Sequence, residues 1–242
     1  MITKSVVKDI QSLAGKKYRD QAGLFLAEGP KLVEELLRDC PHSIKAIYAL
    51  ESWIQQNQIV NSSIQVTLVT PAELERLSQL TTPHEVLAVV SKFPISPLQI
   101  CKGLTLVCCG IQDPGNFGTI LRTADWFGVR QLVCSPDTVD VYNPKVVQAT
   151  MGSIARLAVH YMDLDPWLNE QEVPIYAAIL NGQSVYEINR SQSGILLIGN
   201  EAKGVPASLL TKKVTGITIP KIGEAESLNA AVATGILLSW LS

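Results

Sequence analysis

The stretch Asp-Pro-Gly-Asn-Phe-Gly-Thr-Ile-Leu-Arg-Thr-Ala, residues 113–124, decides the fold. It follows an apolar run from Leu104 to Cys109, typical of a buried strand, and passes through a Pro/Gly/Asn turn into a helical pattern. The turn therefore places the Asn116 amide and the Arg122 guanidinium at the end of a parallel strand, where ligands bind in open α/β sheets. A lone helical arginine is usually a solvated charge, but one behind a glycine-rich turn is a candidate for binding an anion.

The rest of the C-terminal part alternates strand and helix patterns. Short, nearly continuous apolar strands separated by helices predict a parallel sheet covered on both faces. A helix is predicted to begin at Asn143-Pro144, and a last helix spans Leu228 to Leu241, with Ser227 or Glu226 as its cap. The predicted strands are Leu104–Cys109, Gln131–Cys134, Ile175–Ile179, Gly194–Ile198 and Gly216–Ile219.

The first 90 residues predict a smaller α/β unit. A helix over Lys31–Asp39 follows Pro30, and Thr70 with Glu73 forms a capping box for a second helix. A proline-marked connection follows, so the predicted division is a domain over 1–92, a linker over 93–103 and a domain over 104–242. The strands predicted in this unit are Lys45–Ala49, Ile64–Val69 and Glu85–Val90.

Composition narrows the class of protein. The 242 residues are 47% hydrophobic and 17% charged, and no apolar run is long enough to span a bilayer, so we expect a cytoplasmic protein. The net charge of −2 argues against a surface coated with basic patches but leaves a local nucleic-acid groove possible. Five cysteines without a CxxC pair predict reduced, buried thiols, and three scattered histidines predict no metal site.

Two further segments carry polar groups at predicted strand ends. Gly199 to Gly204 has the outer spacing of a phosphate-binding loop, but Val205-Pro206 replaces the lysine and hydroxyl residue that would hold phosphate and magnesium. The other segment runs from Ile219-Pro220 through Glu226 to Ala233, where a loop enters the last helix. No GxGxxG follows the first strand of either half, and no GxSxG indicates a hydrolase.

Together the three segments, Asp113–Arg122, Gly199–Gly204 and Ser227–Ala233, closely resemble the ordered motifs of the SpoU/TrmH class of RNA ribose 2′-O-methyltransferases, within the SPOUT superfamily. The resemblance covers about residues 100–242. Residues 1–90 resemble more loosely the L30e-like substrate-binding domain of that family, through the stretches 25–31 and 82–90. The resemblance implies an α/β SPOUT domain with a parallel sheet and a trefoil knot, preceded by a small L30e-like α/β domain.

The family binds S-adenosylmethionine in the knot, so the resemblance implies this cofactor and no metal. By position in the motifs, the predicted cofactor residues are Leu197, Ile198, Gly199, Asn200, Ile219, Leu228 and Asn229. Apolar walls and backbone hydrogen bonds suit an uncharged adenine, although Ile219 and Leu228 would ordinarily be interpreted as core residues.

The resemblance also assigns the reacting groups. It implies that Arg122, Asn116 and Glu201 are catalytic. Arginine stays protonated in proteins, so anchoring a phosphate and stabilising the developing alkoxide is physically easier for Arg122 than acting as a base. Predicted substrate contacts are Arg122, Ser227, Lys203 and Arg156; serine is frequent in the family where Ala231 stands.

The family's implied function is methylation of a ribose 2′-hydroxyl in structured RNA by a homodimer joined through the C-terminal domain. Ribosomal RNA is the preferred substrate, because family members with an L30e-like domain often modify it. Transfer RNA is an alternative, as is a non-catalytic RNA-binding or ribosome-assembly protein that keeps the fold. The sequence names neither the target nucleotide nor a choice between housekeeping and antibiotic resistance.

Overall fold

The computed structural model describes residues 2–57, 64–100, 103–189 and 193–242. Contacts divide the chain into two compact units: unit 1 comprises residues 1–94 and 140–155, and unit 2 comprises residues 95–139 and 156–242. The predicted division placed residues 140–155 in the domain over 104–242, whereas the contacts place them in unit 1. We call this segment the 140–155 excursion. Cys101 and Lys102, in the predicted linker, lie outside the described residues.

Unit 1 is built around a four-stranded sheet in the order β1-β4-β2-β3. β4 runs antiparallel to both of its neighbours, while β2 and β3 are parallel. The predicted capping box is confirmed, because Thr70 and Glu73 each bond the other's backbone N–H at the start of α5. The elements are α1 Lys4–Ser12, α2 Lys16–Ala22, β1 Leu24–Glu28, α3 Pro30–Asp39, β2 Ile44–Ala49, α4 Glu51–Gln56, β3 Gln65–Leu68, α5 Pro71–Leu77, β4 Val86–Ser91 and α7 Pro144–Thr150.

A buried ion pair fixes the excursion within unit 1. The Arg19 guanidinium donates to Asp140 Oδ2 at 2.6 Å and to the carbonyl oxygens of Leu13 and Ala14 at 2.9 and 2.7 Å. The Arg19 and Asp140 side chains are only 3% and 11% exposed. The pair therefore ties the first residue of the excursion to the N-terminal helices.

Aromatic packing reinforces this attachment. The Tyr142 ring lies 4.9 Å from that of Phe25, and its hydroxyl accepts a hydrogen bond from the Phe93 backbone N–H at 2.9 Å. Burial of the hydroxyl raises the pKa of Tyr142 to about 12. α7 packs on β1. Residues 140–155 belong to unit 1 because their polar and aromatic side chains contact buried partners in that unit.

Unit 2 is a six-stranded sheet in the order β10-β8-β9-β5-β6-β7, and every neighbouring pair is parallel. This confirms the predicted α/β architecture with a parallel sheet, whereas the trefoil knot stays a prediction. α6 packs against α9 on one side, and α8 contributes Leu164 and Leu168 to a core cluster with β5 and β9. The elements are β5 Gly103–Cys109, α6 Pro114–Trp126, β6 Gln131–Cys134, β7 Ala158–Tyr161, α8 Leu164–Asn169, β8 Ile175–Ser184, β9 Ser193–Gly199, β10 Val214–Thr218 and α9 Ala230–Leu241.

The observed elements differ from the predicted ones in several places. The strand expected to end at Ile179 continues to Ser184, because β8 pairs with β10 again after a register shift. The last helix begins at Ala230, and the prediction that Ser227 or Glu226 caps it was wrong: Asn229 accepts the N–H groups of Ala231 and Val232. The edge strand β7 was not predicted.

Cysteine burial agrees with the sequence where the chain is described. Cys40, Cys108, Cys109 and Cys134 are buried. Cys108 and Cys134 are register partners on β5 and β6, where a thiol packs as a small apolar group. None of the described helices combines the length and apolarity needed to cross a bilayer.

Replacing Arg19 with alanine should strongly destabilise the protein, because it leaves Asp140 charged and unpaired in a buried position. We expect a loss of about 3–5 kcal/mol in the free energy of unfolding, measured by urea titration. The matched control is Lys16→Ala, which breaks the exposed Lys16–Asp20 pair and should cost less than about 1 kcal/mol. Equal losses in the two variants would contradict the anchoring role of Arg19.

Candidate functional site

The three predicted motifs meet at the carboxyl edge of the unit 2 sheet. All six strands are parallel, so the segments that follow β5, β9 and β10 emerge at the same edge. The first opens α6, the second forms the turn 199–204, and the third leads from Ile219 to the start of α9. This is the edge at which parallel α/β sheets bind ligands.

A chain of side-chain hydrogen bonds joins one residue from each motif. Asn116 Nδ2 donates to Glu201 Oε1 at 2.7 Å, and Asn229 Nδ2 donates to Asn116 Oδ1 at 2.8 Å. The partners are 85 and 113 residues apart in the sequence. Because Glu201 only accepts, the chain also fixes which way the Asn116 amide faces.

Two helix caps hold this chain in place. Asp113 Oδ1 accepts the Asn116 backbone N–H at 2.7 Å and caps α6. Asn229 Oδ1 accepts the backbone N–H groups of Ala231 and Val232 while its amide nitrogen reaches Asn116. Both asparagines are therefore positioned by helix starts, which are among the more rigid parts of a fold.

The turn 199–204 is compact because its backbone folds onto itself. Asn200 Oδ1 accepts the N–H groups of Ala202 and Lys203, and its Nδ2 donates to the Gly110 carbonyl at 2.7 Å. A methyl group on Gly199 would lie 2.1 Å from the Gly204 carbonyl carbon. Only glycine permits this approach, so the turn presents Glu201 to Asn116 in one defined geometry.

Arg122 lies on the exposed side of α6, apart from the hydrogen-bond chain. It shares that side with Gly115, Thr119 and Trp126, and Trp126 is 85% exposed. Among the described residues Arg122 makes no hydrogen bond and no ion pair. The Asn116 amide makes no hydrogen bond with Arg122, since it is occupied by Glu201 and Asn229.

The predicted cofactor residues fall into two groups. Leu197 and Ile198 are buried inside β9, so they could offer a ligand little beyond backbone groups. Gly199, Asn200 and Ile219 are partly buried at the sheet edge, and Leu228 is 48% exposed next to Asn229.

The loop before α9 has unused binding capacity. Residues 221–228 form no hydrogen bond with any described residue, and Ile222 and Leu228 expose apolar side chains. Free backbone donors and acceptors beside apolar side chains fit an adenosine-type ligand. The geometry is compatible with S-adenosylmethionine.

The predicted substrate residues are differently placed. Ser227 and Lys203 are exposed. Arg156 is partly buried and is paired with Asp125 of α6: its Nε and Nη2 both lie 2.8 Å from Asp125 Oδ2. The side-chain role of Asp125 was missed in the sequence, where nothing marks a partner 31 residues away.

A cavity of about 230 Å³ opens at the same edge, beyond the ends of β5, β6, β7 and β9. Asn200 and Lys203 line it, on either side of Glu201 in the sequence, together with Ser135 and Asp137. Burial raises the pKa of the Cys109 thiol in its wall to about 12. The sequence did not predict this cavity, because its walls come from four separate loops.

The fold defines a parallel α/β domain with a candidate site at its carboxyl edge, and a second small α/β unit. Comparison with known proteins narrows this class: the SpoU rRNA Methylase family model matches residues 103–239, and the MRM3-like substrate binding domain matches residues 4–88. The chain belongs to the SpoU rRNA methylase family. The recognition made from the three motifs is thereby confirmed.

Relatives match over almost the full chain. The chain is 34% identical over 239 residues to the 23S rRNA (guanosine(2553)-2′-O)-methyltransferase RlmP of Bacillus subtilis, covering 97% of this chain and 95% of that protein. It is 27% identical over 244 residues to a 23S rRNA (uridine(2479)-2′-O)-methyltransferase of Streptomyces viridochromogenes, covering 93% and 85%. A crystal structure of an AdoMet-bound rRNA methyltransferase from Sinorhizobium meliloti matches with a TM-score of 0.86 at 30% identity, covering 100% of this chain and 95% of that one.

Replacing Gly199 with alanine should displace the 199–204 turn, because the added methyl group collides with backbone that cannot rotate away. We expect binding of S-adenosylmethionine, measured by calorimetry, to weaken at least tenfold. The matched control is Gly235→Ala within α9, where an added methyl group meets only Thr123 Cγ2 at 3.7 Å, an ordinary van der Waals contact. Unchanged binding in Gly199→Ala would show that the turn tolerates the collision.

Proposed function

We propose that the protein transfers a methyl group from S-adenosylmethionine to a ribose 2′-hydroxyl of structured RNA, preferably ribosomal RNA. The observation that carries the proposal is the hydrogen-bond chain from Glu201 through Asn116 to Asn229. The chain brings together polar groups from three loops at the sheet edge where ligands bind. Its member on α6, Asn116, lies about one and a half helical turns before Arg122, which makes no ion pair with the described residues. The named rRNA methyltransferases among the relatives support ribosomal RNA as the substrate.

When bound, S-adenosylmethionine supplies an activated methyl group. The backbone of Gly199 and Ile219 and the side chain of Leu228 would hold it, with Asn229 as the polar residue nearest in sequence. Residues 221–228 have free backbone groups for the purpose. A single displacement needs alignment of the acceptor oxygen and exclusion of water, so rigid loops serve it better than a catalytic metal.

Arg122 has the task of holding negative charge. Its guanidinium is exposed and unpaired among the described residues, so it can donate two parallel hydrogen bonds to an RNA phosphate. The same cation stabilises the negative charge that develops on the 2′-oxygen as it attacks the methyl group and its proton passes to solvent. Because arginine remains protonated, the structure of the side chain favours this electrostatic role over proton abstraction.

Glu201 and Asn116 orient the ribose. Glu201 Oε1 is engaged by Asn116, while its second carboxylate oxygen makes no hydrogen bond with the described residues. That oxygen can accept a hydrogen bond from the 2′-hydroxyl and aim its lone pair at the donor. Ser227 and Lys203, both exposed, are proposed to contact the RNA backbone.

We also propose that the protein is a homodimer joined through α6 and α9. Trp126 is 85% exposed, and Leu228 and Val232 are about half exposed. Exposed apolar side chains on α6 and at the start of α9 are characteristic of an interface. A second copy of the chain would cover them.

Arg122→Ala should reduce methyl transfer to ribosomal RNA by at least about a hundredfold, because it removes both anion contacts. Arg122→Lys should recover little, since a point charge cannot bind a phosphate in the same two-pronged way. The measurement is tritium transfer from labelled S-adenosylmethionine, followed by mapping of the modified nucleotide.

The matched control for Arg122 is Arg130→Ala, another exposed arginine, which should retain most activity. Labelled transfer RNA with unlabelled ribosomal RNA would favour the transfer RNA alternative. Tight RNA binding by the wild type with neither methyl transfer nor cofactor binding would support a non-catalytic RNA-binding protein instead.

Trp126→Glu should dissociate the dimer, because it places a charge at the centre of an apolar interface. Analytical ultracentrifugation should show a monomer for this variant and a dimer for the wild type. Leu68→Glu, at an exposed leucine of unit 1, serves as the control and should stay dimeric. A monomeric wild type would refute the proposed assembly.

A further inference from the structure

The helix that carries Arg122 contains a single carboxylate, at Asp125. Residues three apart on a helix are neighbours on its surface, so an arginine and an aspartate at this spacing can form an ion pair, although the order with the acid first is the more favourable one. Arg122 and Asp125 do not. Arg122 is exposed and forms no ion pair with the described residues, while the Asp125 side chain is only 13% exposed and is engaged elsewhere.

The missing Arg122–Asp125 pair is explained by two other arginines that contact Asp125. Arg156 places its Nε and Nη2 2.8 Å from Asp125 Oδ2. Arg130 Nη1 lies 3.7 Å from Asp125 Oδ1, and its side chain is 67% exposed, so its contribution is the weaker one. The Asp125 carboxylate is therefore neutralised mainly by Arg156, which is the first residue after the 140–155 excursion.

We propose that Arg156 is a positioning residue that holds Asp125 away from Arg122 and so keeps the Arg122 guanidinium available for an anionic group of the RNA. The inference rests on the proposed role of Arg122. Without Arg156, Asp125 can swing to the neighbouring guanidinium and pair with it. An unneutralised carboxylate one helical turn away also repels the incoming phosphate.

The expected kinetic signature is a loss of affinity rather than of turnover. The Arg122–Asp125 pair must be broken each time RNA binds, and once it is broken the reacting groups are unchanged. Arg156→Ala should therefore raise the KM for RNA about three- to tenfold and leave kcat within about twofold. A role in shaping the reacting groups would lower kcat instead.

The decisive experiment is a double-mutant cycle on the full-length protein with labelled S-adenosylmethionine and ribosomal RNA. Asp125→Asn alone should keep KM within about twofold of the wild type. Adding Asp125→Asn to Arg156→Ala should restore KM to that range, because the competing carboxylate is gone. Arg130→Ala is the matched control and should change KM less than Arg156→Ala does.

Two results would overturn the inference. If the double variant stays as weak as Arg156→Ala, Arg156 contacts RNA itself, as its position in the sequence predicted. If Asp125→Asn is as harmful as Arg156→Ala, the pair is only a structural brace. Thermal melting checks folding, and Arg156→Gln replaces Arg156→Ala in the cycle if the alanine variant is unfolded.

Failure of the proposed function is separable from failure of the inference. A wild type that transfers no methyl group to any RNA, or an Arg122→Ala variant that remains active, removes the role of Arg122 on which the inference stands. An active wild type, an inactive Arg122→Ala variant and no rescue in the cycle overturn the role of Arg156 alone.

Discussion

The Glu201–Asn116–Asn229 hydrogen-bond chain is the interaction on which the candidate site depends. Each of its members belongs to a different loop, and each is also held by its own local structure: a capped helix start for the two asparagines and a self-closed turn for the glutamate. A polar network of this kind specifies one geometry only when all its members have hydrogen-bond partners, because an unpaired polar group in it lowers the stability of the fold. Here the two bonds of 2.7 and 2.8 Å leave both asparagine amides occupied and one carboxylate oxygen for a ligand.

The parallel sheet makes this convergence possible. Its strands all end at one edge, so loops separated by about a hundred residues can meet without any long connection. Close backbone approach tightens the arrangement further: at Gly199 the chain passes so near Gly204 that no side chain fits. Topology and backbone contact therefore fix the turn 199–204 and the two helix starts, while residues 221–228 form no hydrogen bond with the described residues.

Around α6, charged side chains form ion pairs that are separate from the hydrogen-bond chain. In the role proposed here, Arg122 can bind an anion only while it is not neutralised by its own helix, and the one acid of that helix, Asp125, is paired with Arg156. In unit 1 an arginine–aspartate pair is buried instead, since the Arg19 and Asp140 side chains are only 3% and 11% exposed. We therefore assign the Arg19–Asp140 pair to stability and propose that the Arg156–Asp125 pair acts on the candidate site.

Much of the architecture could be predicted from the sequence because it depends on local residue patterns. Apolar runs predicted the described strands other than β1 and β7, the Thr70–Glu73 capping box and Asn143-Pro144 predicted helix starts, and the ordered motifs identified the family. The excursion of residues 140–155, the partner of Arg156 and the hydrogen bond between Asn229 and Asn116 were decided by the tertiary structure. The physical reason is range: helix and strand signals act within a few residues, whereas a buried ion pair or a side-chain hydrogen bond depends on which distant segments the fold brings within 3 Å.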